Sequence, residues 1–316
     1  MRLSGEILVT GGAGFIGSHI VDKLLDMEDV TEVRVLDDFS TGKIENLTGH
    51  LENPKLKVVK GDVRKRGVVK KVMKGVDCVF HEAAITSVPV SIKKPLMMNR
   101  VNVDGTLNVL EEARVNDSTL IYASSFAVYG EPRDFPIKET TPPRPISPYG
   151  ASKLSAEAYC LSYHEAYGLR TTCLRLSNVY GPRQIYSPYA GVITVFVNRA
   201  LKGEPLIIYG DGEQTRDFIY VEDVVNVNLL TVASGKAYGE VFNVGTEKET
   251  SVNVLASKIK SIVGRESLRV IYKPAIKGDI RRSVADISRM KALLGYKPKM
   301  DLDNGLLQVI KWFSER

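Results

Sequence analysis

Three cysteines, three glutamines and no apolar run near the roughly 20 residues that cross a bilayer are what this chain of 316 residues lacks most visibly. Each scarcity removes a class of protein. Cys78, Cys160 and Cys173 stand far apart in apolar, strand-like or helical surroundings, which argues against a disulfide framework or a zinc cluster and for reduced thiols in a core. The first residues carry Gly5 and Glu6 where a secretory signal needs its apolar centre, so the expected location is the cytoplasm, with no membrane partner. So little glutamine beside so much Lys, Arg and Glu leans toward a heat-adapted source. No internal repeat and no low-complexity linker interrupts the chain, whose length suits one large domain or two intimately joined ones.

What is present is the make-up of a soluble globular protein, 44% apolar and 25% charged. The net charge of +6 is spread in pairs such as Lys65-Arg66, Lys70-Lys71 and Arg281-Arg282, the pattern of solvated helix faces rather than of a nucleic-acid surface. A modest excess of cations also suits a phosphate-bearing ligand.

The strongest local signal is near the start. Ile7 to Thr10 is a short apolar run, Gly11-Gly12-Ala13-Gly14-Phe15-Ile16-Gly17 follows at once, and Ile20, Val21, Leu24 and Leu25 then recur at helical spacing. In a strand, glycine turn and helix, the glycines permit close backbone approach and the helix start offers N–H groups to a pyrophosphate. A second strand over 33–36 ends in Asp37, twenty residues after Gly17. A carboxylate there accepts hydrogen bonds from ribose hydroxyls and repels a 2′-phosphate, so the expected cofactor is NAD rather than NADP, with Asp38 strengthening the argument.

The alternation continues. Residues 57–60 read as a third strand ending at Gly61-Asp62-Val63, 68–73 as a helix, and 76–80 as a fourth strand. His81-Glu82-Ala83-Ala84-Ile85 opens like half a zinc-protease motif, but position 85 is isoleucine rather than histidine, which excludes the metal; Ala83 and Ala84 suit a strand end passing close to a cofactor. After Asn102 comes a helix with Leu107, Val109, Leu110 and Ala113 on its buried side, then a fifth strand over 120–123 that delivers Ser124 and Ser125. In an open parallel sheet ligands bind beyond the carboxyl ends of the strands, so Gly11 to Gly17, Asp37, Asp62, Ala83-Ala84 and Ser124-Ser125 should line one crevice. The next helix should begin in Ser147-Pro148-Tyr149-Gly150-Ala151-Ser152-Lys153, with Ser147 as cap and Pro148 in the first turn. Tyr149 and Lys153, four residues apart, then share a face. A free phenol ionises at about pH 10, and a nearby cation, lysine or an oxidised nicotinamide, lowers that value. The tyrosine, the lysine and the two serines form an acid-base constellation.

These motifs resemble the extended short-chain dehydrogenase/reductases that act on nucleotide-sugars, in particular the UDP-glucose and UDP-N-acetylglucosamine 4-epimerases. The resemblance rests on 10–17, on Ser124-Ser125-Phe126-Ala127-Val128-Tyr129-Gly130, on Tyr149 to Lys153, and on Arg175-Leu176-Ser177-Asn178-Val179-Tyr180-Gly181-Pro182-Arg183. Gly210-Asp211-Gly212 leading to Arg216-Asp217-Phe218, and Gly278-Asp279 leading to Ala285-Asp286, extend it over nearly the whole chain. It implies an α/β fold, a doubly wound parallel (Rossmann) sheet over 1–176 that binds NAD, with segments near 218–245 returning to it, and a smaller C-terminal α/β lobe over 177–316 for the sugar nucleotide. Helices over 192–200, 221–233, 252–263 and 304–313 and strands over 205–209 and 241–244 are expected after Arg175, some of them in the lobe and some crossing back to the sheet.

The resemblance also implies roles. Tyr149 takes the proton from the sugar 4-hydroxyl, Ser125 bonds that oxygen, and Lys153 lowers the phenol and grips the nicotinamide ribose. Further cofactor contacts fall on Gly11, Gly14, Phe15, Ile16, Gly17, Asp37, Asp38, Asp62, Val63, Ala83, Ala84, Asn102 and Ser124. Asn178 and Arg216 hold the diphosphate, Tyr209 covers the uracil, and Ser87, Val192 and Asp279 join the substrate site. Gln184 and the run at 187–191, with Tyr189, resemble the N-acetyl-sugar enzymes, and Ser283 either leaves room for an acetamido group or is a neutral surface residue. Two positions depart from relatives: Ile276 stands for an arginine that contacts phosphate, with Lys277, Arg281 or Arg282 as substitutes, and Ser177 stands for an aromatic beside the nicotinamide. A homodimer through 101–113 and 149–166 is implied. Competing readings are a nucleotide-sugar 4,6-dehydratase, whose relatives carry an Asp-Glu pair where this chain has Ser125-Phe126, a UDP-glucuronate-acting enzyme, and a non-catalytic NAD-binding sensor or scaffold.

Overall fold

The computed structural model describes residues 3–185, 191–275 and 280–316. Its first half alternates strand and helix: β1 (Gly5–Thr10), α1 (Phe15–Leu25), β2 (Val30–Asp37), β3 (Leu56–Lys60), α2 (Arg66–Met73) and β4 (Cys78–His81). Two short helices, α3 (Val88–Lys93) and α4 (Pro95–Asn99), lead through a single wide π turn at Arg100–Asp104 into α5 (Gly105–Asn116), β5 (Thr119–Ser125), α6 (Pro148–Tyr167) and β6 (Thr171–Leu176).

The second half is broken into shorter pieces. They are β7 (Asn178–Tyr180), α7 (Val192–Lys202), β8 (Leu206–Tyr209), β9 (Thr215–Arg216), β10 (Phe218–Tyr220), α8 (Val221–Ser234), β11 (Glu240–Val244), β12 (Thr250–Ser251), α9 (Val252–Ile262), β13 (Val270–Lys273), α10 (Ser288–Leu294) and α11 (Leu302–Ser314).

Seven strands form one parallel sheet in the order β11-β6-β5-β4-β1-β2-β3. This is the doubly wound α/β architecture, and its order reverses between β1 and β4, so a crevice opens there at the carboxyl ends. The central strands are apolar throughout because helices cover both faces: β1 buries Ile7, Leu8 and Val9, and β4 buries Cys78, Val79 and Phe80. The edge position taken by β11 shows that residues 240–244, far along the chain, complete the first sheet. The remaining pairs β7–β10, β8–β13 and β9–β12 stand outside it. With α7, α9 and α11 they enclose a separate cluster that includes Tyr180, Phe196, Ile208, Phe218, Leu255 and Val309.

Three details differ from the sequence expectation. The fourth strand begins at Cys78 rather than at 76, because Val76 closes a turn onto Met73. On α5, Leu107 is only half-buried, and Gly105, Thr106, Val109 and Leu110 face inward; the π turn just before, with its wider hydrogen bonding, sets which residues face the sheet. Ser283 is 5% exposed, so the reading of it as a surface residue fails. All three cysteines are buried and unpaired.

Candidate active site

The turn between β1 and α1 is built of backbone. Gly11 has φ +67°, and a Cβ there would lie 2.8 Å from the Ala83 nitrogen, so the strand end of β4 packs directly on the turn. A Cβ on Gly17 would collide with the Gly11 carbonyl oxygen. Gly14 caps α1 without any side-chain hydrogen bond. The first-turn N–H groups, from Phe15, Ile16 and Gly17, are thereby left to an anion.

At the end of β2, Asp37 is 7% exposed, its Oδ2 accepting from the Ala13 N–H at 3.0 Å and its Oδ1 from the Phe39 N–H at 2.9 Å. Burial pushes this carboxyl up, and the two N–H donors oppose that. Each oxygen keeps acceptor capacity for a ribose hydroxyl. Asp38 is exposed and accepts from the Ser40 N–H at 2.8 Å, which orders the loop.

Asp62, after β3, is held by Arg64, whose bonds keep its carboxyl low. Val63 is buried, and its carbonyl accepts from Asn108 at 2.9 Å. Ala83 and Ala84 are half-buried at the end of β4. The collision-prone turn, the uncapped helix start and the buried acid together fit the pyrophosphate and adenosine ribose of an adenine dinucleotide.

Across the crevice, Ser147 accepts from the Gly150 N–H at 3.1 Å and Pro148 enters the first turn of α6, as the sequence predicts. Tyr149 follows, half-buried, with the Ser125 hydroxyl at the end of β5 beside it. Burial pushes the phenol above its ordinary value, the Ser125 hydroxyl pulls it back, and the Glu82 carboxyl pushes it further up. The Lys153 ammonium lies one turn along α6, 3% exposed, donating to the Ala123 carbonyl at 2.7 Å and standing 5.0 Å from the centre of the Tyr122 ring.

Ser124 is corrected as well. Successive strand side chains alternate, so when Ser125 turns toward Tyr149 its neighbour turns away. The Ser124 hydroxyl donates to Glu157 at 2.6 Å, in a buried network where Arg175 grips Glu157 and also donates to Tyr129. Ser124 therefore offers its side chain to neither cofactor nor substrate.

Sequence reasoning missed the frame behind these residues. The Thr106 hydroxyl donates to the Asn102 carbonyl at 2.6 Å, so His81 must donate from Nε2 to Thr106 at 2.9 Å and accept from Thr10 at Nδ1, at 2.6 Å. Thr10 Oγ1 in turn accepts the Ala83 N–H at 3.3 Å. Burial pushes His81 down to about 3, which keeps it neutral in this tautomer. Asn102, expected to touch the cofactor, is 1% exposed: its oxygen accepts from the Ile85 N–H, and its nitrogen donates to the Ile85 carbonyl and to Ser152. Ser152 donates to the Tyr149 carbonyl at 2.8 Å. Asn102 is a brace between β4 and the start of α6, and the only hint in the sequence was a polar residue ahead of an apolar helix.

The expected substrate residues are more dispersed. Asn178 and Asp217 meet where β7 pairs with β10, the Asn178 amide donating to the Asp217 carbonyl at 3.4 Å. Arg216 lies on β9 and donates to the Thr215 carbonyl at 2.7 Å. Gln184 is committed to Val179 and Thr194, which fixes the start of α7 near Val192. Tyr209, on β8, is 42% exposed. Ser87 caps α3, accepting from the Val90 N–H. Ser177 has a buried hydroxyl with no partner among the described residues. Tyr189 and Asp279, with Ile276 and Lys277, lie outside the described residues. Arg281 pairs with Asp211 at 2.6 Å and Arg282 with Glu249 at 2.5 Å, both at the surface. A groove of about 1000 Å³ between Phe39, Lys60, Arg183 and Trp312 is lined by none of Ser125, Tyr149 and Lys153.

Residues 7–245 match the model of the NAD dependent epimerase/dehydratase family. A UDP-glucose 4-epimerase of Mycolicibacterium smegmatis is 37% identical over 312 residues, 98% of each chain. A crystal structure of UDP-glucose 4-epimerase with UDP-glucose from Thermotoga maritima is 41% identical, with a TM-score of 0.92, over 98% of this chain and 99% of that one. A UDP-N-acetylglucosamine 4-epimerase from Methanobrevibacter ruminantium, in complex with UDP-N-acetylmuramic acid, is also 41% identical, with a TM-score of 0.93, over 100% and 99%.

Proposed function

The chain belongs to the NAD dependent epimerase/dehydratase family, and from that premise we propose that it is a UDP-sugar 4-epimerase working through a transient 4-keto sugar, with Tyr149 as the base. The carrying observation is the placement of the Ser125 hydroxyl, at the end of β5, beside Tyr149 in the first turn of α6, opposite the glycine turn. When bound, NAD supplies the hydride acceptor, and its oxidised ring supplies a positive charge that favours a phenolate. The chain supplies the rest. Ser125 holds the 4-hydroxyl, Tyr149 removes its proton and later returns it, and the buried Lys153 fixes the ribose. Because the keto sugar turns over before the hydride and proton come back, C4 is inverted with no second acid or base required.

That economy favours epimerisation over dehydration, which needs further groups for C5 and C6. Beyond Ser125 the chain places Phe126, 7% exposed and packed on Tyr129. By resemblance the small Ser283 stands where a bulkier residue would narrow the sugar pocket, so both UDP-glucose and UDP-N-acetylglucosamine belong among the substrates tried. Self-association through α5 and α6, where Val115, Tyr159 and Tyr167 are exposed, completes the proposal.

The test is to incubate the protein with UDP-glucose, UDP-N-acetylglucosamine and UDP-glucuronate and resolve the products. A new isomer of unchanged mass supports the reading; loss of water indicates a dehydratase, loss of carbon dioxide a decarboxylase, and no turnover a binding protein. Replacement Tyr149→Phe should lower turnover by roughly a hundredfold to ten-thousandfold while NAD stays bound. Activity retained in that variant would remove Tyr149 from the role.

A further inference from the structure

Glu82 follows β4 directly, and its N–H donates to the Thr10 carbonyl at 3.1 Å, so its backbone is fixed beside the glycine turn. Its Oε1 is buried and has no hydrogen-bond partner among the described residues. His81, just before Glu82, pairs with Tyr122 in the sheet, and Lys153 donates to the carbonyl of Ala123, just after Tyr122, so carboxyl and ammonium meet at the same strand ends, where the Glu82 charge acts on both Lys153 and Tyr149. Lys153, for its part, is 3% exposed, and among the described residues it donates to the Ala123 carbonyl. An ammonium taken out of water needs a counter-charge. The ionisable groups coupled to this carboxyl are Lys153 and Tyr149, both from α6.

We propose that Glu82 is a third ionisable member of the site, a positioning residue whose carboxylate keeps Lys153 cationic and opposes ionisation of Tyr149, and so sets the pH range in which the base works. Burial drives Glu82 toward its neutral form and Lys153 toward its own, and each charge resists the other's loss. A carboxylate beside a phenol disfavours a second negative charge, whereas beside an ammonium it favours the existing positive one. Both effects push in the same direction: they raise the pH at which Tyr149 and Lys153 give up their protons. Removing the charge should therefore move both limbs of the activity profile toward acid. This rests on the reading of Tyr149 as the base.

The experiment measures kcat and kcat/KM against pH for NAD-loaded protein, wild type beside Glu82→Gln, Glu82→Asp and Glu82→Met. In parallel, tyrosinate absorbance is titrated as the difference between each background and the same background carrying Tyr149→Phe. The expected result is a shift of the acid limb, and of the Tyr149 absorbance midpoint, downward by about one pH unit in the Gln and Met variants. The Asp variant, which keeps the charge, should stay near wild type. A uniform loss of activity with limbs and midpoint unmoved would overturn the proposal and leave Glu82 a structural residue. If Tyr149→Phe stays active, the functional reading fails, yet the absorbance midpoint still reports whether Glu82 governs this phenol, so the two failures are told apart.

Discussion

The cofactor edge and the substrate edge of this molecule are built in different ways. Along the first, from Gly11 to Ala83, the ligand-facing surface is mostly main chain: a turn where added side chains collide, an uncapped helix start, and one buried acid held by two N–H groups. Along the second, the candidate contacts are side chains on strands of two to four residues, Asn178, Tyr209 and Arg216, spread over β7, β8 and β9. Backbone geometry tolerates almost no change, whereas side chains on short strands can be exchanged one at a time. A fold of this kind keeps its coenzyme while its substrate varies.

Substitution on the first edge should have the larger consequence. Gly17→Ala forces α1 away from the Gly11 carbonyl. It should cost roughly 1–3 kcal/mol of stability, as overpacking does, and strip bound NAD from the purified protein. Calorimetry and cofactor release check this, and an unchanged melting temperature with full NAD content would show that the turn is not the rigid element described here.

The brace behind that edge gives an intermediate effect that depends on pH. His81 binds a proton below about pH 6.5 when unfolded but only near 3 when folded. The unfolded state therefore takes up more protons in that window, and stability is lost as pH falls through it, by about 1.4 kcal/mol for each unit. Denaturant titrations of wild type and His81→Gln at several pH values should show the steeper acid loss in wild type; parallel curves would mean that His81 is not the neutral link between Thr10 and Thr106.

On the second edge the smallest effect is expected. Tyr209 is well exposed, so Tyr209→Ala should leave the melting temperature unchanged. KM should rise roughly two- to tenfold through lost ring packing. A large loss of stability instead would place Tyr209 in the core and blur the contrast between the two edges.

The same contrast explains what could be read from the chain alone. Strand, glycine turn, helix and terminal acid are local patterns with fixed spacing, so β1, α1, β2 and Asp37 were legible, as were the Ser147 cap and the joint face of Tyr149 and Lys153. Ser124 and Asn102 were legible as positions but not as roles. Whether a strand-end serine turns to the crevice or to Glu157, and whether an asparagine meets a ligand or Ile85, depends on partners 33 and 17 residues away. The short strands β7, β9, β10 and β12 left no periodic trace, because two or three residues cannot alternate often enough to be seen.

Sequence by itself determined the alternation of elements, the glycine turn and the acid-base residues, because each follows from spacing along a few turns of chain. Tertiary structure alone decided that Lys153 donates to a strand carbonyl, that His81 is a neutral link, and that a carboxyl oxygen of Glu82 lies buried with no partner among the described residues. Those outcomes turn on burial and on which distant groups meet, and desolvation has no signature in the order of the residues.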